Sequence, residues 1–144
     1  MERLRSRDPE LPVEADLIDA RTDLLGLIDR FPSYGRVVLV DAVLDPEGKL
    51  GKAGAIVVQE EAALQSWPED SPSLHQISPL LAIRLFRRLC PGAATRIHLV
   101  GLCTDAVAMP SPAGSGRRAL SDAAVTAGAA AVLGLLTAQN DPPY

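Results

Sequence analysis

Arg36-Val-Val-Leu-Val-Asp41 is four consecutive aliphatic residues ending on an acid. A short apolar run without polar alternation is the pattern of a strand buried on both faces in a largely parallel sheet. The stretch therefore predicts a central strand with Asp41 at its carboxyl end. Downstream, Pro46, Gly48 and Gly51 make a turn, and Gly54-Ala-Ile-Val-Val-Gln59 reads as a further strand. So short a connection suits an antiparallel return, because a parallel crossover needs about a dozen residues or more.

Upstream, Val13–Ile18 is β-prone, and Thr22 or Asp23 is placed to cap a helix through about Phe31 with Leu24, Leu25, Leu27 and Ile28 on its apolar face. Pro32 and Gly35 then break it. The three prolines and four serines of Ser66–Pro79 predict a loop, with Ser78 capping and Pro79 opening the next helix. Leu80, Leu81, Ile83, Leu85, Phe86 and Leu89 supply its buried stripe, and Arg84, Arg87 and Arg88 stay in water. Thr95–Leu102 is another strand, Met109–Gly116 a loop, Ser121 the cap of an alanine-rich helix to about Thr137, and Asn140–Tyr144 a frayed tail. The order predicts one α/β domain over residues 1–144, a three-layer α/β/α arrangement around a mixed, mostly parallel sheet. Ligands of such sheets sit at the carboxyl ends of the strands.

At 144 residues the chain is long enough for one core, and a net charge of −4 supplies no basic field for nucleic acid. The longest apolar stretch, around Ala127–Leu136, is too short to span a bilayer, and the polar start MERLRSRDPE does not resemble a signal peptide. Two cysteines without CxxC spacing, Cys90 and Cys103, predict reduced thiols in a cytoplasmic protein.

No GxSxG, HExxH, GxGxxG or P-loop occurs. The residues that draw notice are Asp41 and His75, the latter in Pro72-Ser-Leu-His-Gln-Ile-Ser78 ahead of a helix. Separately, each has an ordinary reading, a turn-forming carboxylate and a solvated imidazole. Together they suit a borderline divalent metal such as nickel or zinc, though two ligands leave a site incomplete. His98, alternating with Ile97 and Leu99, reads as a packed sheet residue, and Glu60 and Glu61 as solvated. Asp105 falls near the sheet edge that carries Asp41 and is a further cleft residue to consider.

Six segments in order resemble the endopeptidases that mature nickel-iron hydrogenases: Asp19-Ala-Arg-Thr22, Leu24–Phe31, Arg36-Val-Val-Leu-Val-Asp-Ala-Val43, Lys52-Ala-Gly-Ala-Ile56, Ser73-Leu-His-Gln-Ile-Ser78 and Ile97-His-Leu-Val-Gly-Leu102. The resemblance implies a phosphorylase/hydrolase-like fold, with Asp41 and His75 as metal ligands and Asp41 as the catalytic carboxylate. It also implies that the partner is the hydrogenase large-subunit precursor, whose own nickel serves as the recognition handle. Zinc or cadmium would be surrogates, and the working unit a monomer.

The family opens with a strand, a glycine-asparagine turn and an acidic third ligand, and Met1-Glu-Arg-Leu-Arg-Ser6 matches none of these. The chain thus reads as N-terminally shortened, through a late start codon, a truncated product or a degenerate relative. Without that strand, Arg36–Asp41 is expected to lack a hydrogen-bonding neighbour. Two other readings stay open: a nickel-dependent binding or chaperone protein without hydrolysis, and a small-molecule-binding α/β domain.

Overall fold

A computed structural model describes residues 15–21, 23–44, 49–65, 78–104 and 121–138. Its elements in chain order are a 3₁₀ helix Leu25–Ser33, strand β1 (Arg36–Leu44), strand β2 (Ile56–Glu60), a one-turn helix α1 (Glu61–Leu64), helix α2 (Pro79–Leu89), strand β3 (Arg96–Thr104) and helix α3 (Asp122–Thr137). The three strands form one mixed sheet in the order β1-β3-β2. β1 runs parallel to β3, with Val38 opposite His98 and Asp41 opposite Gly101. β2 runs antiparallel to β3, with Glu60 opposite His98 and Ile56 opposite Leu102. The short connection after β1 does reverse the chain, but β3 inserts between the two strands it joins.

The central position therefore belongs to β3, not to β1. All residues from Ile97 to Cys103 are buried, whereas β1 is half-buried and Val40 is 55% exposed. Among the described residues β1 is an edge strand. Residues 15–20 adopt no regular structure, so the part of the expected Val13–Ile18 strand that is described is not a strand; Val13 and Glu14 lie outside the described residues.

Strand alternation sends Ile97 and Leu99 to one face of the sheet, where they pack with Leu27, Ile28 and Phe31 of the 3₁₀ helix, Leu64 of α1, and Leu80, Ile83 and Phe86 of α2. Phe31 and Phe86 meet edge to face at 5.3 Å between ring centres. The buried stripe of α2 is Leu80, Ala82, Ile83 and Phe86, while Leu81 falls on the helix's other side and Leu89 is its last residue, and they are 53% and 65% exposed. On the opposite face of the sheet, α3 comes so close that a Cβ on Gly128 would sit 3.7 Å from Ile56 Cδ1 and 3.8 Å from Leu102 Cδ1.

Local chemistry explains the helix ends. Ser78 and Ser121 have extended backbone, and their hydroxyls accept from Leu81 N and Ala124 N, both at 3.2 Å. Asp23 Oδ1 accepts from Gly26 N at 3.0 Å, as a cap to the first helix. That helix is 3₁₀ rather than α, and it runs through Pro32. The proline ring clashes with the carbonyl four residues back, which disfavours an α-ladder there. The tighter pattern instead closes with Tyr34 N donating to Phe31 O at 3.0 Å.

One polar contact contradicts the sequence expectation that Glu61 and Arg87 are solvated. Arg87 Nε and Nη2 donate to the Glu61 carboxylate at 2.7 and 2.6 Å, and the same guanidinium donates to Ala93 O at 2.8 Å and Thr95 O at 2.7 Å. A planar five-donor group filling four acceptors ties α1 to α2 and to the approach of β3, which a solvated arginine would not do.

Candidate functional site

Asp41 lies inside β1 rather than at its end, since the strand runs three residues further to Leu44. Alternation puts its side chain on the face that carries Leu39 and Val43, the face packed by α2 and the 3₁₀ helix. It is half-buried, and its Oδ1 accepts from the amide of Ala42 at 2.9 Å. A bond from the adjacent amide draws the carboxylate back along its own strand.

The residue across from Asp41 is Gly101, on the central strand. A Cβ there would lie 2.7 Å from Val43 Cγ2 and 3.8 Å from Val57 O, so close packing of three strands demands glycine at this point. Asp41 therefore lies across from a position with no side chain, where the Val43 methyl comes in instead. Gly101 matters to the site, yet the only signal in the sequence is one glycine within a run of buried residues.

His75 and Asp105 lie outside the described residues. Among the described residues no three histidine, cysteine, aspartate or glutamate side chains gather as metal ligands do. Cys103 is buried and Cys90 half-buried, and both are free thiols. No helix among the described residues is long and apolar enough to cross a membrane.

A second concentration of titratable groups occupies the other face of the sheet, at the amino ends of β1 and β3. His98 is 9% exposed, as expected of a packed sheet residue, but its Nδ1 has no hydrogen-bond partner. Burial pushes its imidazole below the usual histidine range; Arg36 acts in the same direction, Glu60 opposes, and Arg96 adds a smaller push downward. Its neutral form is thus the favoured one in the fold.

Comparison with family models, with curated proteins and with solved structures finds no match.

Proposed function

We propose that this chain is an endopeptidase of the nickel-iron hydrogenase maturation type. It would remove the C-terminal extension of the hydrogenase large-subunit precursor in the cytoplasm, acting as a monomer. The observation that carries the reading is Asp41, a half-buried carboxylate on a strand parallel to its neighbour and facing the bare position of Gly101. It stands in the Val-Asp-Ala-Val segment whose counterpart holds metal in the family the sequence resembles. The finer architecture in this reading is three-layered, with α3 on one face of the sheet and α2 with the 3₁₀ helix on the other.

Nickel belongs to the precursor here, not to the peptidase, and zinc or cadmium would stand in for it. Asp41 and His75 would receive it, and the metal supplies polarisation of the scissile carbonyl when bound. Asp41 would take a proton from the attacking water and return it to the departing amine, so the proton count closes within one carboxylate. A non-catalytic, nickel-dependent binding relative is the second reading, favoured because the segments that resemble the family supply two of its ligands, Asp41 and His75, rather than three. A small-molecule-binding α/β domain is the third outcome to be tested.

Incubation of the chain with nickel-loaded large-subunit precursor separates them. Loss of the C-terminal extension by mass spectrometry, abolished in Asp41→Ala, supports the peptidase. Co-purification without cleavage moves the assignment to a binding relative. Neither cleavage nor association refutes both and leaves the small-molecule reading.

A further inference from the structure

We draw no further inference here: the strongest candidate, the outward apolar face of α3, where Val125 is 52% and Leu133 40% exposed on a helix with no charged residue after Asp122, carries nothing because nothing among the described residues shows what covers it.

Discussion

β1 and β3 run side by side, nine residues each, aligned residue for residue. From composition β1 is the better core strand: Val37-Val-Leu-Val40 is unbroken, whereas β3 is interrupted by His98 and Gly101. The burial is the reverse, with β3 covered from Ile97 to Cys103 and β1 half-open. A strand's burial follows from what flanks it, and β3 has a strand on each side while β1 has one among the described residues. Interruptions are tolerated in β3 for the same reason. Gly101 lets three strands close up, and His98 lies on the face of the sheet that α3 covers.

The comparison breaks most sharply at Leu99 and Leu39, directly opposite each other. Leu99 is 4% exposed and packs in the main core, so Leu99→Ala should cost about 3 kcal/mol in denaturant unfolding. Leu39→Ala, at a half-buried position, should cost about half as much; equal costs would mean that β1 is covered as fully as β3. Val100 and Val40 repeat the experiment on the other face, at 0% and 55% exposure. Val100→Ala should lose about 2 kcal/mol and Val40→Ala less than about 1 kcal/mol.

Gly101→Ala probes the contact between the strands. Its Cβ would arrive 2.7 Å from Val43 Cγ2, and the expected loss is about 1–2 kcal/mol, part of it recovered in the Gly101→Ala, Val43→Ala double variant. No recovery would place the strain in the backbone rather than in that methyl group.

His98 sharpens the comparison through pH. Its folded pKa is depressed, so the unfolded chain binds the proton more readily than the folded one. Stability should therefore be full above the unfolded value of about 6.5 and decline as pH falls from there towards the folded value, then level off. Unfolding midpoints between neutral and mildly acid pH would show this slope, and His98→Leu should flatten it. A slope unchanged in that variant would assign it to other groups. The smallest expected effect on stability is that of Val40→Lys, within about 0.5 kcal/mol. Its consequence should appear in light scattering instead, because a charge on an open aliphatic edge opposes edge-to-edge association. Unaltered aggregation would imply that β1's edge is already covered.

Much of the secondary structure could be read directly. Ser78 with Pro79 and Ser121 announced their helices because a cap is a contact between residues three apart, wholly written in the local chain. β1, β2 and β3 were recognisable as strands for a similar reason, and His98 as a packed sheet residue from simple alternation. Of the candidate site only Asp41 lies among the described residues, and there the strand outlasts the acid. The stretch Leu25–Ser33 misled in type, because an apolar stripe does not distinguish an α-helix from the tighter helix that accommodates Pro32.

Sequence by itself determined most of the segments that become helix or strand, Val13–Ile18 excepted, and where Ser78 and Ser121 start two of the helices, since those depend on periodicity and on partners a few residues away. Tertiary structure alone decided that β3 sits between β1 and β2, that Arg87 closes on Glu61 26 residues earlier, and that Asp41 comes to lie opposite Gly101. Each is a pairing between distant residues, selected by how the sheet ladder and the core close together, and no local pattern along the chain encodes the partner.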